Sequence, residues 1–167
     1  LGIQASPTCV MAFGEQSDDG AVGFLVGEPN QGMRQMFTMM NDARLGVGLE
    51  GLAIAERAYQ QALSYAQERR QGRGPDTPPG EQAPIIEHAD VRRMLLTMKA
   101  TIEAVRALCY LNAHALDLAT AAADGAVRDE QRKLADLLTP LSKAWGTDMG
   151  VETTSLAVQV HGGMGYI

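Results

Sequence analysis

Residues 91–109 read Val91-Arg92-Arg93-Met94-Leu95-Leu96-Thr97-Met98-Lys99-Ala100-Thr101-Ile102-Glu103-Ala104-Val105-Arg106-Ala107-Leu108-Cys109, and their periodicity decides the fold. Val91, Leu95, Met98, Ile102, Val105 and Cys109 recur at alternating steps of four and three, which places them on one face of an α-helix. Arg92, Arg93, Lys99 and Glu103 fall between them and belong to a mostly solvated side. The face is core material, so the helix requires other helices to cover it.

Partners for that face lie on both sides in the chain. Upstream, Gly48, Leu52, Ala55, Tyr59, Ala62 and Ala66 make a second stripe, rich in small side chains that permit close helix packing. Downstream, Leu134, Leu138, Leu141, Trp145 and Met149 form a third series, interrupted by Pro140. The proline either kinks one helix or opens a new one with Thr139 as its N-cap. A last helix is predicted from about Met149 to Val160. Gly72 to Gly80 is too rich in glycine and proline for regular structure, and a shorter break lies near Ala122–Gly125. The expected fold is mainly α, an up-and-down four-helix bundle.

The first residues differ in texture. Thr8–Phe13 and Ala21–Val26 are short β-prone runs around the polar segment Gly14–Gly20. They predict a short N-terminal β-hairpin, and two strands alone are marginal, so it is expected to be the remnant of a larger sheet. Gly27-Glu28-Pro29-Asn30 then marks the change to helix.

Composition narrows the function classes. With 46% hydrophobic residues in 167, the chain can bury a core, and its net charge of −6 disfavours nucleic acid or an anionic membrane as main partner. No run of about 18 apolar residues would span a membrane. The two cysteines, Cys9 and Cys109, have no metal-ligand spacing, which favours a reduced, cytoplasmic setting. His88 and His114 have no second ligand four residues on, so no metal site is expected.

Three features carry chemistry. The chain ends on Gln159-Val160-His161-Gly162-Gly163-Met164-Gly165-Tyr166-Ile167, with three glycines in four positions. Such a backbone either approaches a ligand closely or caps a helix. Glu68-Arg69-Arg70-Gln71-Gly72-Arg73 either places favourable charge at a helix C-terminus or offers a guanidinium fork for phosphate. Arg44, among Met39, Met40, Leu45 and Val47, needs a partner for its charge, for which a structural salt bridge is the plain alternative.

Taken in order, these pieces resemble the acyl-CoA dehydrogenase family. The likeness runs from Leu1-Gly2-Ile3 through Asn41-Asp42-Ala43-Arg44, Glu68-Arg69-Arg70-Gln71, Ile86-Glu87-His88 and Leu137-Leu138-Thr139-Pro140 to Gln159–Tyr166. The insertion at Gly74 to Ala83 is most similar to the branch that includes methylmercaptopropionyl-CoA dehydrogenases. The resemblance implies that residues 1–28 are the last edge of a middle β-domain and 29–167 a C-terminal helical domain cut short at its end. It implies a parent enzyme that oxidises an acyl-CoA thioester to the trans-2-enoyl-CoA with FAD, as a homodimer or dimer of dimers served by an electron acceptor. Asn41 and Arg44 would contact acyl-CoA. Arg69, Gln71, His88, Gln159, Gly162 and Gly163 would contact FAD across a subunit interface, while Gly72 replaces the usual aromatic after the arginine cluster. The family's catalytic glutamate would fall about two residues beyond Ile167, and the alternative position holds Ala43, so the chain by itself is expected to be inactive. A non-catalytic assembly module, and an acyl-CoA oxidase or flavin monooxygenase on the same scaffold, are the alternatives.

Overall fold

The α-helical periodicity of residues 91–109 is realised as one buried helix face. In the computed structural model, which describes residues 5–15 and 20–167, this segment lies within helix α2, Ala89–Ala121. Leu95, Met98, Ile102, Val105 and Cys109 are buried and Val91 half-buried, as the repeat demands. Helix α1, Gly32–Glu68, precedes it. A 3-10 turn, Ile85–Glu87, leads into α2, and α3, Gly125–His161, follows. A single turn, α4, spans Gly163–Tyr166.

Contacts divide the chain between Met36 and Phe37 into two units. In the first, the described residues before Gly32 form neither strand nor helix, and the expected β-hairpin is absent from them. Thr8–Phe13 and Ala21–Val26 are exposed throughout, and two short runs with no further strand among the described residues make a marginal sheet. Part of the expected turn, residues 16–19, lies outside the described residues.

In the second unit, the three long helices run up, down and up. Glu56 of α1 meets Arg106 of α2 in a half-exposed ion pair of 2.6 Å, which adds at most about 1 kcal/mol. Helices α1 and α3 are parallel, because Gly48 lies against Ser142, Gly51 against Gly146 and Tyr65 against His161. The core joins Leu52, Ala55, Tyr59, Ala62 and Ala66 to Met94, Leu95, Met98, Ile102, Val105, Cys109, Ala157 and Val160. Burial pushes the Cys109 thiol up, away from thiolate character. Asn112, fully buried, donates to Ser142 Oγ at 3.2 Å and contacts the Thr139 hydroxyl at 3.4 Å, fixing α2 against α3 with a polar layer.

The expected four long helices are three. Pro140 neither ends α3 nor starts a new helix, and the predicted helix from Met149 is the second half of α3. Thr139 is not an N-cap. It is buried in mid-helix and donates its hydroxyl to the Ala135 carbonyl at 2.8 Å. The real N-cap is Asp124, whose side chain accepts from the Ala126 N–H at 2.8 Å. Burial on α3 also departs from expectation. Its inward face is Ala135, Leu138, Thr139, Ser142, Gly146, Gly150, Thr153, Ala157 and Val160, while Leu141 is 50% and Trp145 38% exposed. Small residues win the inward face because the α1 and α3 backbones approach so closely there that a Cβ on Gly48 would lie 2.6 Å from the Ser142 carbonyl oxygen.

An exposed proline in a helix interior costs about 3 kcal/mol relative to alanine, through a lost hydrogen bond and a clash with the preceding turn. Pro140→Ala, which returns a donor toward the Asp136 carbonyl, is therefore expected to raise the thermal midpoint of the protein. An unchanged or lower midpoint in a melting curve would show that the packing around α3 favours the proline.

Candidate functional site

Helices α1 and α3 end side by side, and what they bring together is set by their parallel register. The Tyr65 ring stacks on His161 with centroids 4.6 Å apart and planes at 28°. One turn further, the Arg69 N–H donates to the Tyr65 carbonyl at 2.8 Å, so Arg69 projects from the last turn of the same helix. Beyond it the chain extends. Arg70 pairs with Pro84 in an antiparallel bridge, Gln71 N donates to Ala83 O at 2.9 Å, and Ala83 N donates to Gly72 O at 3.0 Å. These bonds close the Gly/Pro-rich loop at its neck and hold Gln71 beside Arg69. Gly72 adopts a φ of +70°, which a side chain would resist.

On the α3 side, Gly162 turns the chain with φ +59° and ψ −133°, and its N–H donates to the Gln159 carbonyl at 3.1 Å. Nothing lies within 4 Å of where a Cβ would stand on Gly162 or Gly163, so this backbone is bare. Arg69, Gln71, Gly162 and Gly163 together line one cleft of about 280 Å³, with Tyr65, Ile85 and His161. That is just under the roughly 300–1,000 Å³ of ligand pockets. The Arg69 side chain has no carboxylate partner among the described residues, whose ion pairs are Arg93–Asp90, Lys99–Glu103 and Arg106–Glu56. An unpaired guanidinium beside exposed main chain is equipped to take an anion such as phosphate.

Two of the anticipated cofactor residues lie differently. Gln159 is exposed and does not line the cleft; its carbonyl shapes the Gly162 turn. His88 approaches from behind. Its Nε2 donates to the Gln71 carbonyl at 2.7 Å, and its ring borders a separate groove of about 610 Å³ with Pro75, Glu87, Arg92 and Leu96. Conversely, Tyr65 and His161 were not singled out by sequence. The signal available was Tyr65 at four residues before Arg69 and His161 immediately before the glycine pair.

Arg44 lies far from this cleft. It is half-buried, not enclosed by methionines, since Met39 is 64% and Met40 38% exposed. In place of the alternative salt bridge, its Nη1 donates to Asn41 Oδ1 at 3.0 Å and its guanidinium sits 6.0 Å from the Phe37 ring centroid. At 1.5 Å per residue, Arg44 and Arg69 are separated by roughly 37 Å along the α1 axis. Their side chains cannot converge on one group. Among the described residues no three His, Cys, Asp or Glu side chains are grouped to hold a metal ion, and no helix is long and apolar enough to cross a membrane.

A helical domain that brings a guanidinium and a bare glycine backbone onto one cleft is the class of structure this defines. The family model described as the acyl-CoA dehydrogenase C-terminal domain matches residues 30–167, and the chain belongs to that family. It is 52% identical over 167 residues to a 3-methylmercaptopropionyl-CoA dehydrogenase of Ruegeria pomeroyi, covering all of this chain and 27% of that protein. It is 40% identical over 172 residues to a butyryl-CoA dehydrogenase of Syntrophomonas wolfei, covering all of this chain and 28% of that protein. Among solved structures, butyryl-CoA dehydrogenase from Megasphaera elsdenii superposes with a TM-score of 0.65 at 26% identity, over 84% of this chain and 31% of that one. The chain thus spans a little over a quarter of the length of these two curated relatives.

Proposed function

We propose that this chain is the helical C-terminal portion of a flavin-dependent acyl-CoA dehydrogenase that oxidises an acyl-CoA thioester to the trans-2-enoyl-CoA. The observation that carries the proposal is the unpaired Arg69 facing the bare Gly162–Gly163 backbone across one cleft. These groups fit FAD: Arg69 would hold the pyrophosphate, Gln71 would assist it, and the glycine pair would admit the adenosine end. Gln159 shapes the turn and His88 steadies Gln71 from behind. When bound, FAD supplies the hydride acceptor for the substrate β-carbon. Asn41 orients Arg44, which would bind the acyl-CoA.

The separation of Arg44 from Arg69 supports a site shared between subunits, in which one protomer's α1 serves the substrate of one active site and the flavin of another. Residues 1–28 would then be the edge of a β-domain and 29–167 the helical domain. Position 43, one of the family's two places for the base that removes the substrate α-proton, is alanine and supplies none. Identical subunits and an electron acceptor complete the assembly, in a cytoplasmic setting.

The test is to purify the whole protein, identify extracted flavin, and add butyryl-CoA or 3-methylmercaptopropionyl-CoA, the compounds in the names of the two relatives above, without oxygen. Bleaching of the flavin absorbance with formation of an enoyl-CoA is expected. A protein that binds no FAD, or leaves both thioesters unchanged, would contradict the proposal.

A further inference from the structure

Arg44 is held by two uncharged groups of its own helix. Side chains of an α-helix lean toward its N-terminus, and Phe37, Asn41 and Arg44 stand at spacings of four and three on one face of α1. The Arg44 side chain therefore reaches back along the helix. There its Nη1 donates to Asn41 Oδ1 at 3.0 Å, and its guanidinium carbon lies over the Phe37 ring, 6.0 Å from the centroid. That is within the roughly 6 Å at which the face of an aromatic ring attracts a cation. No carboxylate pairs with Arg44 among the described residues. The difference matters for binding: a carboxylate partner would occupy the donor fork, whereas a ring attracts the cation through its face and leaves the fork open.

We propose that Phe37 is a positioning residue, whose ring holds the Arg44 guanidinium in its binding pose without consuming the N–H groups that take the acyl-CoA. The inference rests on the reading of Arg44 as the acyl-CoA arginine and adds to it the group that prepares it. An arginine free to rotate loses that freedom when a ligand arrives; one held beforehand loses less, and the difference appears as affinity.

The test alters the electrons of the ring and keeps its shape. Phe37→pentafluorophenylalanine in the whole protein preserves an aromatic ring of similar size but draws negative charge away from its face. The probe is trans-2-butenoyl-CoA, the enoyl product expected from butyryl-CoA, which the oxidised protein would bind without turning it over. The fluorinated ring is expected to raise its Kd roughly 2- to 5-fold, the range of one exposed cation–π contact. Phe37→Leu should raise it similarly, and Phe37→Trp, whose ring face attracts a cation more strongly, should restore or lower it. In an Arg44→Gln background the fluorinated ring should have no further effect, because the group it acts through is gone. A role in packing alone would leave the Kd of the fluorinated protein at the wild-type value. If Arg44→Gln weakens the probe while fluorination does not, or if fluorination weakens it equally with and without Arg44, the role of Phe37 is overturned and the reading of Arg44 stands. If Arg44→Gln binds the probe as well as the wild type does, or the wild type does not bind it, the acyl-CoA reading of Arg44 falls and this inference with it.

Discussion

Arg69→Gln in the whole protein is expected to reduce FAD affinity by about 10- to 100-fold, with flavin lost during purification. The magnitude follows from the chemistry of the group. A hydrogen bond to an ionised partner contributes roughly 1.5–3 kcal/mol, and each 1.4 kcal/mol is tenfold in affinity. Arg69 is free to make such bonds because no carboxylate among the described residues neutralises it. Arg69→Lys should recover only part of the loss, since an ammonium cannot reproduce the planar fork. Titration of the flavin-free protein with FAD, followed by fluorescence quenching, measures both. Equal affinity in wild type and Arg69→Gln would remove the arginine from the cofactor site.

The second large effect concerns the helix crossing that places the site. A Cβ on Gly51 would run into the Gly146 carbonyl oxygen, and one on Gly146 would stand 2.8 Å from the Gly48 carbonyl oxygen. Both obstacles are backbone and cannot swing aside. Gly51→Ala is therefore expected to destabilise the protein by about 1–3 kcal/mol, the usual cost of overpacking, and Gly51→Leu by more. Because Tyr65 and His161 lie at the far end of the same α1–α3 contact, a forced separation should also open the cleft. Melting curves and flavin retention measured on the same variants would test this. A Gly51→Leu protein as stable as wild type would mean that α1 and α3 do not approach as closely as the structure shows. Gly46, which has nothing within 4 Å of a Cβ position, serves as the control: Gly46→Ala should be neutral or mildly stabilising.

Helix α2 and helix α3 differ in how plainly sequence announces them. In α2 the buried face and the large apolar residues coincide, so a four–three repeat identified both the helix and its core side. In α3 they do not. Its buried face holds Ser142, Gly146, Gly150 and Thr153, chosen for small volume, while Leu137, at 62% exposed, and Leu141 lie outside. Hydropathy periodicity reports apolar faces, and a face selected for close backbone approach escapes it. Pro140 leaves two readings open in the sequence, one helix or the start of a new one, and the fold carries α3 through it without a break, with Ala135, Leu138, Thr139 and Ser142 buried around it. The site was legible in part. Arg69, Gln71 and the glycine pair were identified through family resemblance, and the fold places all four on one cleft. Tyr65 and His161 were not, because their stack joins residues 96 positions apart and exists only once α1 and α3 are set parallel in this register.

In the proposed assembly one protomer serves two different active sites, Arg44 one and Arg69 another. The most direct test is to co-express two inactive forms of the whole protein, Arg44→Ala and Arg69→Ala, and assay the mixed oligomer. If the sites are shared between subunits, each mixed pair contains one doubly damaged site and one intact site, so acyl-CoA dehydrogenation should return to an appreciable fraction of the wild-type rate. If both arginines serve the same site within one protomer, every site keeps one defect, and the mixed oligomer would stay as inactive as either parent.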